Sequence, residues 1–191
     1  CFWLPAREKK VLLFYWASPI LFYINYFHGQ LDVIPTALLF FSLACLFRGK
    51  TLTAYLTLGL GMAAKTHLLA VLPFYFLYSY LKKTSAGNLL KYITSALIIW
   101  FAMLLPYLFS PGYQELVLKA EEQGWIFLLQ VPYAQRGVAL LLAPAVYLIL
   151  FFRFASSPKI TQDFFLIMLG LVFATLVVFV PPMPGWFYWS L

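Results

Sequence analysis

Residues 25–33 read "NYFHGQLDV" and lie between two strongly apolar runs. Few short stretches of so hydrophobic a chain carry as much hydrogen-bonding capacity. Asp32 can orient a substrate hydroxyl or accept its proton. Gln30 offers a bidentate amide suited to sugar hydroxyls. His28 can pair with a phosphate or shuttle a proton. A plainer reading stands beside this one: Asp32 caps the helix that begins at Val33, and Gly29 serves the turn.

Lys65 and His67 form a second polar interruption, inside an otherwise apolar stretch. A compact ammonium charge there suits a lipid phosphate or pyrophosphate. The alternative is a lysine snorkelling to the membrane interface beside a hydrogen-bonded histidine. Arg136, in "YAQRG", is a further phosphate candidate or an interfacial anchor. Near the end, "PPMPGWFYW" combines three prolines with four aromatics. Its prolines forbid a continuous helix. Trp186, Tyr188 and Trp189 can stack on a sugar face or form an aromatic belt at the headgroups.

These groups must be positioned by apolar helices. The chain has 191 residues, 64% hydrophobic and 10% charged, with a mean hydropathy of +0.89. Charged residues make up about a quarter of an ordinary soluble domain. The expected class is therefore all-α, a polytopic transmembrane helix bundle. Seven spans are placed at about 11–27, 33–47, 52–64, 67–81, 92–109, 138–152 and 163–180. They form one transmembrane domain over 1–191, and 110–137 is an external loop with a short interfacial helix. In that loop Ser110 is the expected cap, with Pro111 at the first helical position. Glu115 and Lys119 are spaced for a favourable i,i+4 pair.

The net charge of +7 does not point to nucleic acid, because the basic residues sit in short clusters at the ends of apolar runs. With Arg7, Lys9 and Lys10 on the cytoplasmic side, ten of the thirteen Lys and Arg fall on that side. Lys65, Lys119 and Arg136 are the exceptions. A single helix over 52–81 would instead bury Lys65 in the bilayer, at about 2.5–3.5 kcal/mol. Two separate helices with Lys65 at the external turn are preferred. Gly59 and Ala63 form a small-xxx-small pair that permits close helix approach just before Lys65.

Neither cysteine, Cys1 nor Cys45, suggests a disulfide framework or a metal site. No phosphate-binding G-x-x-x-x-G-K-[ST], no dinucleotide G-x-G-x-x-G and no H-E-x-x-H is present. No cofactor and no metal are expected.

The order of features in 18–83 resembles the central region of GT-C superfamily glycosyltransferases. Carrying the likeness are Ser18–Pro19, then Gly29, Gln30 and Asp32, a basic turn with Arg48 and Lys50, a small-residue helix ending in Lys65, and Pro73. Pro181, Pro182, Met183 and Tyr188 resemble a late external loop of that superfamily. The resemblance implies a mannosyltransferase-like enzyme that moves a sugar from a polyprenyl-phosphate donor to a glycan or lipid acceptor on the external or lumenal face. The membrane would be the plasma membrane of a bacterium or the endoplasmic reticulum of a eukaryote. His28, Gln30, Asp32, Lys65, His67, Arg136 and Tyr188 are then expected at the substrate. The superfamily carries its catalytic acid in a first external loop, which would lie before Cys1, in a longer parent chain; Asp32 is the candidate within this one. The alternative function is a transporter or flippase of lipid-linked or small polar substrates. A membrane scaffold without chemistry is a third.

Overall fold

The computed structural model describes residues 19, 32–119, 121–133 and 138–180. It is mostly helical, as expected. Six helices carry the architecture of this part: α1 (Val33–Phe47), α2 (Thr51–Ala64), α3 (Leu72–Leu81), α4 (Ala86–Leu108), α5 (Leu142–Ala155) and α6 (Gln162–Phe179). A 3-10 segment, Thr66–Val71, leads into α3. Between α4 and α5 lie short helical turns and an antiparallel hairpin, β1 (Gln130–Tyr133) with β2 (Val138–Leu141).

The reversals follow from local chemistry. After α1, Gly49 adopts φ +74°, its amide donates to the Leu46 carbonyl, and the Lys50 amide donates to Cys45 at 2.9 Å. This pair of bonds closes a helix C-terminus through a left-handed residue, the conformation glycine tolerates best. The same arrangement ends α3, where Lys83 takes φ 62° and the Thr84 amide reaches back to Ser79. α6 starts at Thr161, whose hydroxyl accepts from the Phe164 amide at 3.1 Å, with Asp163 in the first turn favourable to the helix dipole.

Side-chain pairs fix the directions. Tyr55 near the start of α2 meets Ser79 near the end of α3, with hydroxyls 3.1 Å apart, so these helices are antiparallel. The Tyr55 ring also packs on Tyr92 near the start of α4, at 5.7 Å. Tyr147 of α5 donates to the Ala70 carbonyl just before α3, and Phe74 packs on Phe151 and Phe154 further along α5. Those two helices run parallel. At the start of α6, Phe165 stacks on Tyr78 at 4.6 Å and meets Phe47 and Phe154. The helices therefore alternate in direction from α1 to α4, and α5 and α6 oppose each other.

Exposed Arg48, Lys50, Lys82, Lys83, Lys91, Arg153 and Lys159 consequently gather toward one end of the bundle. Asp32, Lys65 and the C-terminus of α4 lie toward the opposite end. Lys65 itself is extended (φ −151°, ψ 113°), which separates α2 from the segment after it. A continuous 52–81 helix is thus not formed.

Between the ends is a core of aromatic and aliphatic side chains with hydroxyls embedded in it. Ser42 donates to the Ala54 carbonyl at 2.6 Å and lies 2.9 Å from the Tyr75 hydroxyl. Cys45 is buried in the same core. Removing the Tyr75 hydroxyl with Tyr75→Phe should lower stability by about 0.5–1.5 kcal/mol, since Ser42 keeps its bond to Ala54. Thermal unfolding of Tyr75→Phe, Ser42→Ala and the double variant measures the coupling; full additivity would show that the two hydroxyls do not interact.

The expectation of about seven spans needs correction. Among the described residues, two helices, Ala86–Leu108 and Gln162–Phe179, are long and apolar enough to cross a membrane. Val33–Phe47, Thr51–Ala64, Thr66–Leu81 and Leu142–Ala155 are apolar but shorter. Lys65 and the turn at Gly49 cut the apolar runs, and β2 takes the first turn of the span expected at 138–152. The span expected at 11–27 lies outside the described residues, apart from Pro19.

Candidate functional site

α1 and α2 form a helical hairpin of 15 and 14 residues joined by a tight turn. Helices of nearly equal length must bring their far ends together. Those far ends carry Asp32 and Lys65, and the Lys65 Nζ donates to Asp32 Oδ1 in an ion pair.

The pair discriminates between the readings open for each residue. Asp32 precedes α1 in right-handed helical conformation and makes no side-chain cap. Its carbonyl accepts from the Thr36 hydroxyl at 2.6 Å and from the Thr36 amide at 3.2 Å. The capping alternative therefore does not describe Asp32: the backbone serves the helix, and the carboxylate is spent elsewhere. Nor does Lys65 extend away from the protein, since its ammonium is turned onto the carboxylate.

Burial of the two partners is unequal. The Asp32 side chain is 5% exposed and the Lys65 side chain 26%. A buried carboxylate requires a counter-charge and further hydrogen bonds to be tolerated. Oδ1 has the lysine, whereas Oδ2 is buried with no hydrogen-bond partner among the described residues. That oxygen is a ready acceptor for one more donor, such as a hydroxyl.

His67 lies two residues beyond Lys65, half-buried, with its ring edge-on to Phe173 of α6 at 6.1 Å. It thus joins the end of α6 to the same end of the bundle as the ion pair. Tyr147 does the same for α5 through Ala70. Neither Phe173 nor Tyr147 is conspicuous among so many aromatics, and no pattern in the sequence singles them out.

The segment after α4 keeps part of its expected local structure. Pro111–Tyr113 is helical after Ser110, although the serine side chain makes no cap, and Gln114–Leu118 continues as a π turn. Glu115 and Lys119 form their i,i+4 pair with side chains 63% and 67% exposed. Tyr113 and Val117 are half-buried, whereas Leu116 is exposed.

Of the expected substrate residues, Asp32, Lys65 and His67 share one end of the bundle. His28, Gln30, Arg136 and Tyr188 lie outside the described residues. Among the described residues no three His, Cys, Asp or Glu side chains gather as metal ligands do. Comparison with family models, with curated proteins and with solved structures yields no match.

Proposed function

We propose that the chain is a polytopic membrane glycosyltransferase of GT-C type that uses a polyprenyl-phosphate sugar, as its sequence resemblance implies. The observation that carries the proposal is the Asp32–Lys65 pair, a buried carboxylate with one oxygen unpartnered among the described residues, beside a partly exposed lysine. Sugar transfer from a lipid phosphate needs both kinds of group, one for hydroxyls and one for a departing anion.

A membrane setting is supported by the outer surface. α4 buries only Leu89 and Ala96, while Leu90, Ile98, Phe101, Met103 and Leu105 are exposed along it. Ile149 and Phe152 of α5 and Ile167 and Val178 of α6 are exposed too. Apolar surface of this extent marks contact with lipid or another apolar partner. The polar Ser42, Tyr55, Tyr75 and Ser79 are turned inward, as polar groups are in membrane bundles. The end rich in lysine and arginine is then cytoplasmic, and the Asp32–Lys65 end is external or lumenal.

Helices of 14 or 15 residues rise about 22 Å, short of a hydrocarbon core of about 30 Å. The ion pair would then sit just below the outer headgroups, within reach of the phosphate of a lipid-linked donor. In the reaction, the acceptor oxygen bonds to the anomeric carbon as the bond from that carbon to the phosphate oxygen breaks. The leaving electron pair stays on the phosphate, next to Lys65, and the hydroxyl proton passes to a carboxylate. Asp32 holds a sugar hydroxyl in this scheme. Transport is less well supported, because transporters gather polar substrate groups near the bilayer midplane.

The test is sugar transfer by the full-length protein in lipid vesicles, from a polyprenyl-phosphate sugar to a glycan or lipid acceptor. Asp32→Asn and Lys65→Ala should each reduce turnover at least tenfold. Movement of intact lipid-linked sugar across the vesicle, with no transfer, would replace this proposal with the transport alternative.

A further inference from the structure

We infer that the Asp32 carboxylate is an internal place-holder for a phosphate-type anion at Lys65, so that the carboxylate and the incoming anion compete for the same ammonium. This deepens, and rests on, the proposed donor site.

Three observations converge on it. The lysine is the open member of the pair, at 26% exposure against 5% for the aspartate. An anion approaching from outside therefore meets the lysine side of the pair before the buried carboxylate. Next, Asp32 is satisfied at one oxygen only, since Oδ2 is buried with no hydrogen-bond partner among the described residues. A carboxylate held by one donor among the described residues is a replaceable occupant. A structural pair at such burial gains by satisfying both oxygens. Finally, Glu115 and Lys119, which follow α4 at this end, pair with each other on the surface and leave Lys65 to Asp32.

The consequence is an order of events. With the site empty, Lys65 neutralises Asp32 and holds the ends of α1 and α2 together. When a phosphate takes the ammonium, Oδ1 is released beside Oδ2, and the whole carboxylate becomes available to a hydroxyl. Anion binding thus prepares the residue that meets the second substrate. Until then the internal pair reduces apparent anion affinity by the fraction of time that the ammonium is free.

The experiment measures anion binding directly, by calorimetric titration of the full chain in lipid nanodiscs. One arm uses a sugar-free polyprenyl monophosphate, the other inorganic phosphate. Asp32→Asn should bind the anion about tenfold more tightly than the parent, and Lys65→Gln at least tenfold more weakly. Asp32→Ala is the second variant and must shift affinity in the same direction as Asp32→Asn. A response confined to the lipid arm identifies a headgroup phosphate as the ligand. A response in both arms identifies the phosphate group alone as sufficient. Unchanged or weaker binding by both Asp32 variants, or parental affinity in Lys65→Gln, overturns the inference. Competition seen without any sugar transfer would remove the proposed transferase activity and keep the place-holder. Transfer seen without competition would do the reverse.

Discussion

Lys65→Met is expected to lower the stability of the folded protein by about 2–3 kcal/mol, somewhat less than the 3–5 kcal/mol typical of breaking a fully buried pair. The cause is what the substitution leaves behind. Asp32 is buried in the parent, and the variant leaves neither oxygen neutralised. An uncompensated carboxylate in such a place must be rehydrated by local opening. Partial exposure of the lysine lets water reach toward the vacated position, which softens the loss. Adding Asp32→Asn to Lys65→Met removes the stranded charge, so the double variant should regain most of the lost stability. Sugar transfer should stay low in both, because the ammonium is gone from both. Thermal unfolding of the parent, the two single variants and the double variant gives the coupling energy. A double variant no more stable than Lys65→Met would mean that charge burial at Asp32 is not what the lysine offsets.

That pairing marks the boundary of what the sequence alone conveys. The extent of α1 is legible to the residue, 33–47, because Asp32 and Arg48 bracket a run without charge. The end of α2 at Ala64 is legible for the same reason, since Lys65 interrupts the apolar stretch. The break itself follows from the cost of burying a lysine, and the extended backbone at Lys65 agrees. Residue types place Asp32 and Lys65 as polar groups at one end, yet do not make them partners. Their partnership follows from two helices of nearly equal length joined by a tight turn, a comparison of lengths that residue types do not suggest. The β1–β2 hairpin is not legible, because Val138–Leu141 reads as the start of an apolar helix. An apolar run of four residues has no period that separates strand from helix. The count of spans failed on length. Hydropathy marks apolar helices well, but turns at Gly49 and Lys65 leave α1 and α2 at 15 and 14 residues.

Gly59→Leu is expected to separate α4 from α2 and to cost more stability than any other single change on that interface. A Cβ built at Gly59 would lie 2.5 Å from the Ala96 carbonyl oxygen, 3.1 Å from its Cα and 3.2 Å from its carbonyl carbon. All three neighbours are backbone atoms, which cannot rotate aside as a side chain can. To restore an ordinary separation of about 3.5 Å, α4 must retreat by about 1 Å even for alanine. Small residues are what allow helices without side-chain spacers to approach so closely. α4 buries Leu89 and Ala96 and packs Tyr92, Ile93 and Trp100 on the core, so a retreat must loosen those contacts as well. Gly59→Ala should therefore cost about 1–3 kcal/mol, the usual range for overpacking, and leucine more. Gly170→Ala on α6 is the matched control, because a Cβ there meets nothing within 4 Å. It should leave stability unchanged or slightly raised, as replacing a helical glycine does. The two alanine variants differ only in what the new methyl group touches. Equal thermal unfolding of Gly59→Ala and Gly170→Ala would show that α2 and α4 are not held at the spacing described. A strained α2 would also disturb Lys65, which follows its last residue, Ala64. Loss of sugar transfer should consequently accompany the loss of stability in the Gly59 variants and be absent in Gly170→Ala.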